Sequence, residues 1–124
     1  MLADSITEPA QRGSGCVVIS GSHGGTSSAR YALAMRPLLA VFNDAGVGKD
    51  DAGIAALALL QAQGIAACTV GHRSARIGDA LSSWTDGVLS HCNAAAAALG
   101  ARAGMPLRQW LLSAAAAGSS PARH

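Results

Sequence analysis

Polar and titratable side chains follow three apolar segments of the sequence, at the point where each segment ends. In chain order they are Ser20, Ser22, His23, Asn43, Asp44, His72, Ser74 and Arg76. Hydroxyl, carboxylate and imidazole groups are those from which nucleophilic and acid–base sites are built. The residue types therefore predict a site for proton transfer or nucleophilic attack, provided that the fold brings the three segment ends together.

The apolar segments alternate with helical patterns along the chain. Strands are predicted at 16–20, 38–42, 65–70 and 88–90, and helices at 26–35, 51–63, 77–84, 93–101 and from 106 onward. Short β-branched runs of this kind suit strands that are covered on both faces. We expect one α/β domain over 14–117, with a small parallel sheet of about four strands and helices on both faces. It would be a three-layer sandwich of Rossmann-like or flavodoxin-like type, with flexible tails at 1–13 and 118–124.

In an open parallel sheet, ligands bind outside the carboxyl ends of the strands, because loops and helix N-termini converge there. The polar residues named above fall at those ends. The sequence therefore predicts that Ser22, Asp44 and His72 lie within side-chain reach of one another.

Composition limits the classes of function. The chain has 124 residues, of which 50% are hydrophobic, and its net charge is +2 with only 3% aromatic residues. Dispersed charge and few aromatic side chains disfavour a nucleic-acid-binding protein. The three cysteines form no CxxC pair and no segment reaches about 18 apolar residues, so we expect a soluble, cytoplasmic protein without membrane contact. No cofactor is indicated, and a metal site from His23, Asp44 and His72 lacks diagnostic spacing.

Alanine-rich helices give the predicted sheet little side-chain bulk as cover. The runs at 94–98 and 114–117 contain only alanine. Packing against a second copy would supply the missing burial, so we expect a homo-oligomer. The alanine content of a GC-rich genome explains the same runs equally well.

The glycine-rich end of the first segment has two interpretations. In one, the glycines turn backbone N–H groups toward an anion at the start of the first helix, where the helix dipole favours phosphate or carboxylate. In the other, residues 16–33, CVVISGSHGGTSSARYAL, resemble the strand, sharp turn and helix of the α/β-hydrolase nucleophile elbow. That resemblance places Ser22 at the nucleophile position, with Gly24 and Gly25 as the small neighbours that a sharp turn needs, although Ser20 stands where the motif has a glycine.

In the α/β-hydrolase family the triad runs serine, acid, histidine along the chain. Ser22, Asp44 and His72 occur in that order, so the resemblance implies a nucleophile, an orienting acid and a general base. Each residue also has a plainer interpretation: Asp44 caps the turn before Gly46 together with Asn43, and His23 and His72 are solvated loop histidines.

Arg76 offers a planar fork for a carboxylate or a phosphate, near His72 and Ser74 in the sequence. An ion pair between Arg76 and Asp79 is the alternative.

Three hypotheses of function result from these residues. The first is a hydrolase or acyl-transfer enzyme for a compact anionic metabolite, with Gly24, Gly25, Asn43, Ser74 and Arg76 as substrate-binding residues. The second is an anion-binding or regulatory subunit, and the third is a lyase or isomerase that uses His23 and His72 as an acid–base pair.

Overall fold

The computed structural model describes residues 2–3, 17–46 and 54–116 of the chain. The strands are β1 (Leu2–Ala3), β2 (Val17–His23), β3 (Leu39–Asn43), β4 (Ala66–Val70) and β5 (Leu89–Cys92). The helices are α1 (Thr26–Met35), α2 (Ala55–Gln61), α3 (Ala80–Asp86), α4 (Ala94–Ala98) and α5 (Leu107–Ala116). Outside the described residues lie the predicted tail at 118–124, all of the predicted tail at 1–13 except residues 2–3, and the start of the predicted helix at 51–53.

The five strands form one sheet in the order β1-β2-β3-β4-β5. All neighbours are parallel except β4 and β5, which are antiparallel. The predicted α/β class is confirmed, and the fourth predicted strand runs opposite to the others. Its direction follows from the connection, because the N–H of Gly71 donates to the carbonyl of Val88 at 2.9 Å. The chain thus re-enters the sheet at the end where β4 leaves it. The short strand β1, within the predicted N-terminal tail, pairs with Ile19 and Ser20.

Helices cover both faces of the sheet. On one face, α1 and α2 pack on alternate strand residues, with Phe42 and Leu60 fully buried at the centre. On the other face, residues of α4 and α5 pack on Val41 and Val70, and Trp84 of α3 joins them. Successive residues of β3 and β4 belong to the two clusters in turn, so each face of the sheet has its own apolar core. This is expected of a sheet that is buried on both sides.

Successive strands from β2 to β4 are also successive neighbours in the sheet, and both connecting helices lie on the same face. In Rossmann and flavodoxin sheets the strand order reverses at one point, and this switch point creates a binding crevice. The sequential order from β2 to β4 contains no such reversal. The segment 71–79, which connects β4 to α3, instead lies over the carboxyl ends of β2, β3 and β4.

Two hydrogen bonds hold the 71–79 segment over the ends of the neighbouring strands. The amide of Asn43 donates to the carbonyl of Ala75 at 3.0 Å, and the N–H of Gly78 donates to the carbonyl of Gly21 at 2.7 Å. A Cβ on Gly21 would collide with the backbone of Gly78 and Asp79. Gly21, within β2, is therefore a close-approach glycine, because any larger residue would collide with the 71–79 segment.

Within the described part of the chain, no helix is long and apolar enough to cross a membrane.

Candidate active site

A tight turn follows β3 and positions Asp44. The Asn43 side-chain oxygen accepts a hydrogen bond from the N–H of Ala45, and Asp44 Oδ1 accepts one from the N–H of Gly46, each at 2.8 Å. Ala45 and Gly46 have φ values of 53° and 76°, in the left-handed region. The predicted capping of this turn by Asn43 and Asp44 is therefore observed. It fixes the Asp44 carboxylate at the carboxyl edge of the sheet.

The side chains of Asp44 and His72 contact each other at the carboxyl ends of β3 and β4. His72 Nδ1 lies 3.4 Å from Asp44 Oδ1, and the same oxygen accepts the backbone N–H of His72 at 3.1 Å. The side chain of Asp44 is 7% exposed, whereas that of His72 is 44% exposed. One imidazole nitrogen thus faces a buried carboxylate, while much of the ring is open to solvent. This is the arrangement in which a carboxylate orients a histidine for acid–base work.

Gly46 leaves space for the imidazole. A Cβ at this position would lie 3.4 Å from His72 Cε1 and 3.6 Å from both ring nitrogens. The positive φ already favours glycine, and the close ring adds a second reason for it. The turn therefore both presents Asp44 and leaves room for His72 beside it.

Ser90 is a site residue that sequence reasoning missed. Burial raises the pKa of the Asp44 carboxyl, but hydrogen bonds from the Ser90 hydroxyl and the backbone N–H groups of Gly46 and His72, with the His72 charge, outweigh it. The pKa of Asp44 consequently lies below its ordinary value of 3.8. Thr69 Oγ1 lies 2.8 Å from Ser90 Oγ and donates to it when Ser90 donates to Asp44. Nothing in the residue types indicates Ser90, because its place depends on the antiparallel direction of β5.

Two of the predicted substrate-binding residues are engaged inside the protein. Asn43 is fully buried and uses its amide on Ala45 and Ala75. The Ser74 hydroxyl donates to the carbonyl of Gly71 at 2.8 Å and accepts the N–H of Val88 at 3.0 Å. Both side chains hold the 71–79 segment in place, so they position His72 rather than present free donors to a ligand.

Ser22 does not lie on a sharp turn, contrary to the resemblance to the nucleophile elbow. β2 continues through Ser22 to His23, and α1 begins three residues later at Thr26. The non-glycine residues with positive φ in the described ranges are Arg36 and Ala45, so Ser22 lacks the strained backbone of an elbow. Ser22 is half-buried and occupies an irregularity in the pairing of β2 with β3. Its convergence with the Asp44–His72 pair stays a prediction.

The buried hydroxyl of Ser20 links β2 to β3 where their register changes. The register of β2 and β3 shifts between Ile19 and His23. The hydroxyl of Ser20, fully buried, donates to the carbonyl of Val41 at 3.1 Å. Ser20 is therefore engaged within the protein as a buried, hydrogen-bonded polar group.

His23, Gly24 and Gly25 connect β2 to α1. His23 is exposed and accepts the Ser28 hydroxyl at its carbonyl, 2.7 Å away. Gly24 is buried and bonded at both backbone groups, to the carbonyl of Asn43 and the N–H of Ala56. Gly25 is the N-cap of α1 and supplies no side-chain cap. The N–H of Gly24 is therefore used within the protein and does not face an anion. Binding of an anion by this loop stays a prediction for Gly25.

Arg76 projects from the 71–79 segment, which also contains Arg73. Both side chains are exposed, and among the described residues neither forms an ion pair. The alternative partner of Arg76, Asp79, instead caps α3 by accepting the N–H of Ser82 at 2.9 Å. The 71–79 segment thus carries two exposed arginines together with His72.

The three residues considered for a metal site do not form one. Among the residues that the structure describes, no group of three His, Cys, Asp or Glu side chains is arranged to hold a metal ion, so His23 does not complete a site with Asp44 and His72. Two surface grooves beside α5 are lined by residues of 85–113, none of them a predicted site residue.

Comparisons of the chain with protein-family models, with curated proteins and with solved structures find no match, so the functional argument rests on this geometry.

Proposed function

We propose that the protein is a small hydrolytic or acyl-transfer enzyme that uses His72 as its general base on a compact anionic metabolite. The observation on which this proposal depends is the contact between the buried Asp44 carboxylate and Nδ1 of the half-exposed His72, at 3.4 Å. A carboxylate on one ring nitrogen leaves the other as the proton acceptor toward solvent or substrate. Asp44 orients the ring.

The surroundings of His72 favour an anionic substrate. Arg73 and Arg76 are exposed on the same segment without ion-pair partners among the described residues. An arginine fork binds a carboxylate or a phosphate through two hydrogen bonds. In this proposal, Arg76 holds the anionic group while His72 takes a proton from the attacking group, which is either a water molecule or the Ser22 hydroxyl.

The test is hydrolysis of 4-acetoxybenzoate, a compact aryl ester whose para carboxylate cannot reach its own ester carbonyl. We expect His72→Gln to lower kcat/KM by about 100-fold, because a general base contributes at least that much. Arg36→Asn is the matched control, since it changes an exposed residue at the far end of α1. Ser22→Ala separates the two nucleophiles: loss of activity assigns Ser22, and retained activity assigns water. Equal rates for wild type and His72→Gln would contradict the proposal.

A binding or regulatory function is the second candidate. It is favoured by the two exposed arginines, Arg73 and Arg76, which have no ion-pair partner within the described ranges. In that case inorganic phosphate or succinate raises the Tm of the wild type without any ester hydrolysis. Arg76→Lys should weaken the shift, because a point charge cannot reproduce the bidentate fork. If the protein is instead a lyase or isomerase that uses His23 and His72, His23→Gln should lower its activity, whereas the hydrolytic proposal assigns no role to His23.

A further inference from the structure

Two cysteines lie directly opposite each other on β4 and β5, on the face of the sheet away from α1 and α2. Cys68 pairs with Cys92 in the antiparallel register. Cys68 is fully buried in the core beneath α5, and Cys92 packs against the same cluster while keeping part of its surface exposed. Both thiols are free and hydrogen-bonded to each other. No part of the Asp44–His72 site uses this pair.

The local hydrogen bonding shows which type of strand pair this is. The N–H of Asn93 donates to the carbonyl of Ala67 at 3.0 Å, so the flanking positions 67 and 93 form the bonded pair. Cys68 and Cys92 are therefore the non-hydrogen-bonded pair, whose Cα atoms in antiparallel sheets are about 4.5 Å apart. Disulfides span Cα separations from about 4.4 to 6.8 Å. The typical spacing of such a pair therefore lies within the range that a disulfide accepts.

We propose that Cys68 and Cys92 form a redox-active dithiol that a hydroperoxide oxidises to a cross-strand disulfide. Cys92 attacks the peroxide as the thiolate: an S–O bond forms, the O–O bond breaks, and the departing oxygen leaves as an alcohol after taking a proton from solvent. Cys92 is then a sulfenic acid. Cys68 sulfur attacks Cys92 Sγ, the S–S bond forms, the S–O bond breaks, and hydroxide leaves with the Cys68 proton as water.

The step balances without a further reagent. Two thiols and one hydroperoxide give one disulfide, one alcohol and one water, and the two electrons lost by the sulfurs reduce the peroxide. The order of attack follows from the site. The hydrogen bond from Cys68 holds the pKa of Cys92 below its ordinary value of 9.0, while the same contact and burial raise the pKa of Cys68. The partly exposed thiol is thus also the more acidic one, as expected of the attacking cysteine.

The experiment treats the folded protein with a small excess of hydrogen peroxide, then counts free thiols in denaturant by alkylation and maps the peptides without reduction. We expect the count to fall from the three cysteines of the chain to one, with the Cys68 and Cys92 peptides joined. Cys16→Ser is the control and should show the same linked pair. Cys68→Ser should instead accumulate a sulfenic acid at Cys92, trapped by a cyclic 1,3-diketone.

Three unreacted thiols after treatment, a bridge that includes Cys16, or oxidation of Cys92 to sulfinic acid without linkage would each overturn the proposal. If Cys68→Ser does not fold, the peptide map of Cys16→Ser still decides between these outcomes. Dithiothreitol should return the oxidised protein to its starting thiol count, because the expected product is a disulfide and sulfinic acid is not reduced.

Discussion

Asp44 and His72 follow different strands, yet Oδ1 of Asp44 contacts both the imidazole and the backbone N–H of His72. The carboxylate therefore fixes the position of the main chain and the orientation of the ring at once. A purely solvated histidine would need no such pair of contacts. The coincidence of a structural anchor and a ring partner in one carboxylate distinguishes this edge of the sheet.

The lowered pKa of Asp44 predicts a pH dependence of stability. A carboxyl whose pKa is lower in the folded state stabilises the fold while ionised, and that contribution is lost as the pH falls through the folded value. The loss should therefore occur below pH 3.8. Asp44→Asn should lower the free energy of unfolding at neutral pH by about 1–2 kcal/mol and flatten this acid dependence. Urea titrations from pH 2 to 7, with exposed Asp86→Asn as the control, measure both effects. An unchanged acid profile in Asp44→Asn would contradict the assignment.

Gly46→Ala should disturb both the turn and the ring of His72. The positive φ by itself costs about 1 kcal/mol for alanine, and the new Cβ would lie 3.4 Å from the imidazole. Gly64→Ala is a matched control, since Gly64 has a φ of 72° and a Cβ added there would meet no atom within 4 Å. We expect similar backbone costs from denaturation, but a change in the His72 ring signals by NMR in Gly46→Ala alone. Identical spectra in the two variants would refute the contact.

Gly21→Ala should destabilise the fold strongly, because its Cβ has to displace the backbone of Gly78 and Asp79. The expected loss is about 3 kcal/mol in the free energy of unfolding. Gly71→Ala serves as the comparison, since its Cβ meets no atom closer than 3.7 Å. Equal stability of the two variants, measured by urea denaturation, would show that the 71–79 segment does not press on β2.

Self-association stays a prediction, and the exposed apolar residues indicate which surface would form the contact. Ile77 and Leu81, near the start of α3, are 56% and 59% exposed, and Leu112 of α5 is 53% exposed. We expect light scattering to give at least a dimer, and Leu81→Lys to reduce its mass to that of one chain. Leu59→Lys, on α2 at the other face, is the control. A wild-type mass of one chain would remove the prediction.

The strand and helix pattern was predictable because period and turn residues are local signals. Asp44 and His72 could also be placed at one edge, since parallel strands bring their carboxyl ends together. The direction of β5 could not be predicted, because residue types do not distinguish parallel from antiparallel pairing in a short buried strand. For the same reason, neither the position of Ser90 nor the pairing of Cys68 with Cys92 could be predicted. The extension of β2 through Ser22, and the close approach of Gly78 to Gly21 beside it, are likewise tertiary features that residue types do not indicate.

The rate of ester hydrolysis by the wild type, His72→Gln and Asp44→Asn tests most directly whether the Asp44–His72 pair is a working acid–base unit. We expect His72→Gln to lower kcat/KM for 4-acetoxybenzoate by about 100-fold, because the general base is lost. Asp44→Asn should lower it at least tenfold, because the ring loses its orienting carboxylate. Equal values of kcat/KM for the wild type and His72→Gln would contradict the account.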